Sequence, residues 1–127
     1  MKNNNPISPH IQIYNWHISS LVSISHRITG IINIVGITLI CFWVIYLLSG
    51  ASSYEIINIY LNSFVGKFII LGLTWSFSFQ ILSEIRHLLM DYGYFFELKA
   101  ANITGSIVIV GSILLTCLIY IYGRSLI

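Results

Sequence analysis

Two short segments of this chain combine residue types that supply hydrogen-bond donors, acceptors and titratable groups. In the first, two hydroxyls, an imidazole and a guanidinium fall within five positions: Ser23, Ser25, His26 and Arg27. Ser23 and Arg27 are four residues apart, so they share one face if the segment is helical. Such groups can hydrogen-bond a polar ligand or exchange protons with it.

The second segment carries a polar stripe that ends in an acid. Its members are spaced by four, three and four residues, which places them on one face of a helix: Gln80, Glu84, His87 and Asp91. Two simpler interpretations stay open for the arginines in these segments. Arg27 would only extend to the lipid headgroups, and Arg86 would form a structural ion pair with Asp91.

The composition indicates that lipid surrounds these segments. Of the 127 residues, 57% are hydrophobic and 8% are charged, and the mean hydropathy is +0.87. A soluble domain carries about 25% charged residues. We therefore predict an all-α membrane protein that forms a single domain over residues 1–127. Three stretches are long enough to cross a bilayer, at about residues 20–48, 63–90 and 103–122.

The order of these spans predicts where the polar segments meet. The first polar segment begins the first span, and the second segment ends the second span. Consecutive spans run antiparallel, so both segments lie at the same side of the membrane. Ionisable groups are unfavourable in lipid, so we expect them to face protein, water or a ligand. The linkers are short: residues 49–53 have turn chemistry, and Asn102 or Thr104 is predicted to cap the third helix.

Charge and cysteine usage argue against several functions. The formal charge of +2 is spread thinly along the chain, without the basic stripe that binds nucleic acid. Cys41 and Cys117 lie in apolar runs, and no CxxC or CxxCH motif supports a zinc, Fe–S or c-type haem site. Frequent Ile and the Asn run at residues 3–5 indicate an AT-rich genome, such as that of an organelle or an endosymbiont.

Three motifs together resemble the cytochrome b large membrane-anchor subunit of succinate dehydrogenase, respiratory complex II. They are SPHIQIY at residues 8–14, SISHRITG at residues 23–30 and IRHLLMDYG at residues 85–93. Each motif alone is a weak signal, but their order and spacing and the three-span plan all match that family. The resemblance extends from about residue 8 to about residue 120.

This resemblance implies a subunit that anchors a flavoprotein and an iron–sulfur subunit to the membrane, beside a second small anchor subunit. In the family, electrons pass from succinate through FAD and Fe–S clusters to ubiquinone. By similarity, Ser23 and Arg27 line the ubiquinone pocket, and His26 lies near the quinone and the haem propionates. The resemblance implies a supporting role for the residues that close the second helix: Arg86, His87 and Asp91.

The chain departs from the family at the haem. The resemblance implies a b-type haem with one axial His from the second helix, seven residues before the His of the third motif. That position is Gln80 here, and Glu84 stands where the family tends to have Gly. An amide is a poor ligand for haem iron compared with an imidazole. We therefore expect no axial ligand from this subunit, and a haem that is lost or held differently. The alternative ligand on this helix is His87, about two turns closer to the interface.

Other functions are compatible with parts of this sequence. The chain could anchor a fumarate reductase, which runs the same chemistry in reverse, or be a structural subunit of another respiratory complex. A transporter is disfavoured because the spans hold few charges and no inverted repeat. The sequence has no nucleotide motif, cluster ligands or dicarboxylate site, so we expect no catalysis by this subunit alone. The predicted location is the mitochondrial inner membrane with an organelle-encoded gene; the alternative is a bacterial cytoplasmic membrane.

Overall fold

Four α-helices form the computed structural model of this protein, which describes residues 17–94 and 97–125. The first motif, at residues 8–14, lies outside the described residues. The helices follow one another along the chain in this order: α1 (Ile18–Leu48), α2 (Ala51–Asn62), α3 (Phe64–Asp91) and α4 (Leu98–Ser125). Helix α3 packs against both α1 and α4, so it is the central helix of the bundle.

Three of these helices are long and apolar enough to cross a membrane: α1, α3 and the part of α4 from Leu98 to Gly123. At about 1.5 Å per residue, the 31 residues of α1 exceed the roughly 30 Å thickness of a hydrocarbon core. Large apolar side chains such as Ile31, Ile34 and Ile37 are exposed along α1. In water this surface would be unfavourable, but in a bilayer it faces the acyl chains. The prediction of an all-α membrane protein with three transmembrane helices is confirmed.

The connection between the first two spans differs from the predicted turn. Only Ser49 and Gly50 separate α1 from α2, and Gly50 adopts a φ of 117°, which favours glycine. Helix α2 has 12 residues, too few to cross a bilayer, and packs against both α1 and α3. Its Ile57 and Leu61 are half-buried. The turn residues after α1 were recognised in the sequence, but the helix that follows them was not.

The third span also begins earlier than the predicted position 103. Helix α4 starts at Leu98, so Asn102 and Thr104 lie inside it and cap nothing. The Thr104 hydroxyl donates to the carbonyls of Ala100 and Ala101, at 2.9 Å and 3.2 Å. A threonine can satisfy its hydroxyl in this way within a helix, and this makes it an ambiguous start signal.

The helices meet through small and apolar residues. Val22 of α1, Phe79 of α3 and Val108 of α4 form the apolar core. Gly105 of α4 lies against Ile18 and Val22 of α1. Around this core, buried hydroxyls occupy positions on two helices: Ser76, Ser78 and Ser83 on α3, and Ser112 and Thr116 on α4. Small residues of this kind let membrane helices approach closely, because lipid supplies no hydrophobic force between them.

Gly66 is required at the corner between α2 and α3. A Cβ atom at this position would clash with the backbone carbonyl oxygens of Tyr60 and Leu61. Gly66→Ala is therefore expected to displace α2 and destabilise the subunit by about 1–3 kcal/mol. Gly72→Ala, on the same helix, is the matched control because a Cβ there meets nothing within 4 Å. Thermal unfolding of the purified assembly measures the difference; equal stability of the two variants would contradict the prediction.

Candidate functional site

A hydrogen-bonded cluster joins the start of α1 to the end of α3. His26 Nε2 lies 2.9 Å from the carboxylate Oε1 of Glu84 and 2.7 Å from the amide Nε2 of Gln80. Thr29 Oγ1 lies 2.9 Å from the Gln80 amide Oε1. The expected convergence of the two polar segments is therefore confirmed at these four residues, which we call the His26 cluster.

The cluster is tied to the backbone of α1. Thr29 is buried, and its hydroxyl lies 2.9 Å from the carbonyl oxygen of Ser25. Ser76 of α3 is also buried and donates to the carbonyl oxygen of Thr29 at 3.1 Å. These bonds hold α1 and α3 in one register at the crossing. The ring of His26 therefore has a defined position relative to α3.

The proton arrangement follows from the chemistry of the partners. A single ring nitrogen of His26 approaches both a carboxylate and an amide. When Glu84 is ionised it can only accept, so Nε2 must carry the hydrogen. The Gln80 amide is then turned around from the orientation given above, so that its oxygen faces the ring and its nitrogen faces Thr29. The oxygen and nitrogen of an amide are assigned from their hydrogen-bond partners, and these partners favour the turned orientation. In this arrangement the Thr29 hydroxyl accepts from Gln80 and donates to Ser25.

The rest of the predicted stripe extends the cluster toward the end of α3. The ring of His87 meets that of His26 edge-on, with centroids 5.6 Å apart. The side chain of Glu84 is 56% exposed, against 22% for His26. His87 and Asp91 are also exposed. One face of α3 is thus polar and open over its last three turns.

Ser23 and Arg27 are exposed on the surface of α1. Each follows a residue that faces the bundle: Ser23 follows the buried Val22, and Arg27 follows His26. One residue corresponds to a rotation of about 100° around a helix. Ile18 and Val22 contact α4, whereas His26 and Gly30 face Gln80 of α3. At about 100° per residue, Ser23 and Arg27 lie on the His26 side of α1, away from α4.

Arg86 belongs to a different face of α3. Its Nε donates to Thr104 Oγ1 and its Nη2 donates to the carbonyl oxygen of Ala101, both at 3.2 Å on α4. The residue is buried, at 7% exposure. The simpler interpretation of Arg86, a structural ion pair with Asp91, is therefore wrong. The signal for this was present in the sequence, since position 86 does not fit the spacing of the polar stripe.

The cluster does not fit the axial ligation of a haem. The Gln80 amide has a hydrogen-bond partner at each end, His26 and Thr29, so a bond to iron would break one of these contacts. The imidazole beside Gln80, His26, has its Nε2 in contact with both Gln80 and Glu84.

Three apolar spans with a polar end define an integral membrane protein. The family described as succinate dehydrogenase/fumarate reductase transmembrane subunit matches residues 1–119. The succinate dehydrogenase cytochrome b556 subunit of Rickettsia felis is 38% identical over 122 residues, which cover 94% of this chain and 93% of that protein. The corresponding subunit of Paracoccus denitrificans is 32% identical, with 92% and 90% covered.

A eukaryotic relative shows a similar level of identity. The succinate dehydrogenase cytochrome b560 subunit of Reclinomonas americana is 33% identical over 131 residues, with 95% of this chain and 88% of that protein covered. The chain belongs to the succinate dehydrogenase/fumarate reductase transmembrane subunit family. It is a membrane anchor of complex II and thus part of an enzyme complex, which confirms the predicted family and the predicted anchoring role.

Proposed function

We propose that this chain contributes Ser23, Arg27 and His26 to a site where ubiquinone is reduced with electrons from succinate. The observation that carries the proposal is the juxtaposition of the ordered His26 with two exposed donors on one flank of α1. The Ser23 hydroxyl donates to a quinone carbonyl oxygen. The Arg27 guanidinium stabilises the negative charge that develops on the ring as electrons arrive. His87 and Asp91 support this site from the end of α3.

The electrons come from an iron–sulfur subunit, which receives them from a flavoprotein that oxidises succinate. The family's role as the membrane anchor of complex II implies both of these partners. We place their docking surface at the membrane side where α1 begins and α3 ends. The polar ends of two spans meet there, close to the proposed quinone site.

A second small anchor subunit completes the bundle. Glu84, His87 and Asp91 are exposed on α3, and Arg27 is exposed on α1. Helix α4 packs on the other side of α3, where it receives Arg86. Exposure of the open face to lipid would be unfavourable for these groups. A partner helix on this face shields them and closes the quinone pocket.

This subunit donates no axial ligand to a haem. Its cytochrome-named relatives imply a haem in the family, but the Gln80 amide is engaged at both ends and is a poor ligand for iron. Quinone reduction does not require this ligand, because the proposed donors to the quinone lie on α1. In the proposed reaction, electrons pass from the iron–sulfur subunit to the quinone without the haem.

The direction of catalysis and the membrane follow from the relatives. Those compared above are named succinate dehydrogenase, which favours succinate oxidation over the alternative of fumarate reduction. They come from bacteria and from a eukaryote, and the three spans place the chain in a membrane. The mitochondrial inner membrane stays our prediction, and the bacterial cytoplasmic membrane is the alternative.

Affinity purification tests the anchoring role. The chain, tagged at its C-terminus and extracted in mild detergent from its native membrane, is expected to bring down a flavoprotein with covalent flavin, an iron–sulfur subunit and one small hydrophobic subunit. The untagged membrane is the control for nonspecific capture. Recovery of the chain alone, or with subunits of another respiratory complex, would contradict the proposal.

A further inference from the structure

Glu84 is an acid well inside a membrane-crossing helix, and the function proposed above does not use it. It lies seven residues before the end of α3 at Asp91, which is about 10 Å along the helix axis. Ionisable side chains at such depth are unfavourable unless they are paired, and they mark functional sites. Its partner is His26, at 2.9 Å.

This contact distinguishes the two nitrogens of the His26 ring. Nε2 is held by Glu84 and Gln80. Among the described residues, Nδ1 makes no hydrogen bond. The hydrogen on Nε2 is retained by the carboxylate, so a second proton taken up by the ring must reside on Nδ1. Proton exchange with a ligand therefore runs through Nδ1.

His26 also stands next to the proposed quinone donors. It lies three residues after Ser23 and directly before Arg27, so Ser23 and His26 are neighbours on the surface of α1. On the other side, the exposed His87 meets the ring edge-on at 5.6 Å. His26 is thus bordered by a titratable group toward the end of α3 and by the proposed quinone donors on α1.

We propose that Glu84 positions His26 as the proton donor to the reduced quinone, an inference that rests on the quinone site proposed above. Two electrons reach ubiquinone from the reduced Fe–S cluster of the iron–sulfur subunit. The doubly protonated His26 gives its Nδ1 proton to one quinone oxygen; this N–H bond breaks and the O–H bond of the quinol forms. The second proton comes from water. His26 keeps its Nε2–H on Glu84 and regains its Nδ1 proton from water.

Glu84→Gln tests this role, because the amide keeps the shape of the side chain but loses the charge that holds Nε2–H. In the whole complex we expect kcat for ubiquinone reduction to fall at least about tenfold. The solvent deuterium isotope effect on kcat should rise, since proton transfer becomes slower. The KM for ubiquinone should stay within about twofold of the unmodified value, because Ser23 and Arg27 still bind the ring.

Two controls separate this role from a structural one. Rates are divided by succinate oxidation with a soluble dye in the same membranes, which counts assembled complexes. Glu55→Gln changes an exposed acid on α2 and should leave all values unchanged. If the complex with Glu84→Gln does not assemble, His26→Gln is measured in its place. The proposal then requires that His26→Gln lowers kcat at constant KM.

The outcomes that would overturn the inference are specific. Unchanged kcat and isotope effect in Glu84→Gln, or a change confined to KM, would show that Glu84 does not position a proton donor. The same holds for His26→Gln if that variant has to decide. Failure of the quinone site itself has another signature: Arg27→Ala would then leave ubiquinone reduction intact. If Arg27→Ala loses ubiquinone reduction while Glu84→Gln keeps full activity, the quinone site stands and only the role of Glu84 is refuted.

Discussion

Replacement of Arg27 by alanine is expected to lower ubiquinone reduction by about 100-fold, while succinate oxidation with a soluble dye continues at its normal rate. Two electrons leave negative charge on the quinone oxygens before protons arrive, and a guanidinium next to them stabilises this charge most in the transition state. Loss of one such donor costs about 100- to 1000-fold in comparable sites. Steady-state assays of the whole complex with both acceptors, in the same membranes, measure the two rates.

Matched variants define what the Arg27 result means. Arg27→Lys keeps the charge but loses the planar pair of donors, so an intermediate rate is expected. Lys67→Ala removes an exposed cation near the start of α3, at the opposite end of that helix from the His26 cluster, and should change neither rate. Equal loss in Lys67→Ala, or full ubiquinone reduction in Arg27→Ala, would contradict a quinone site on this flank of α1.

The second large effect concerns haem. In the unmodified complex we expect no low-spin b-type haem spectrum that depends on an axial ligand from this subunit. The reason is that the Gln80 amide is held by His26 and Thr29. Gln80→His combined with Glu84→Gly supplies an imidazole and removes the carboxylate one turn away. A reduced-minus-oxidised spectrum, normalised to covalent flavin, should then rise from near zero toward about one haem per flavin.

Single variants divide this effect between the two positions. Gln80→His alone leaves Glu84 in place and should bind less haem than the double variant. Glu84→Gly alone provides no imidazole and should bind none. A full low-spin b-type spectrum in the unmodified complex, lost in Gln80→Ala, would show that the amide position does serve the iron and would refute our interpretation of the cluster.

Much of the fold was determined by residue type and periodicity. Apolar stretches of the length of a bilayer define the three spans whatever their neighbours are, because in lipid a single segment can satisfy its own backbone only as a helix. The 4-3-4 spacing from Gln80 to Asp91 placed four polar groups on one face, and the antiparallel order brought this face to the start of α1. The structure contains both features.

Local signals were weaker where two structures satisfy the same residues. Ser49 and Gly50 mark a turn, yet nothing in the turn itself shows whether a loop or the helix α2 follows. Thr104 has the chemistry of a helix cap, but its hydroxyl is satisfied equally well by carbonyls inside α4. Such residues can satisfy their hydrogen bonds in two different local structures, and the packing of the neighbouring helices selects one of them.

The class of this protein, its three spans and the convergence of its polar residues at one side of the membrane all followed from the sequence alone. Only the tertiary structure decided which polar groups are partners: His26 with Gln80 and Glu84, and Arg86 with α4 instead of Asp91. The physical reason is that helical spacing gives the face of one helix but not the rotation of its neighbour. A partner is chosen by that rotation, which depends on how Val22, Phe79 and Val108 pack in the core.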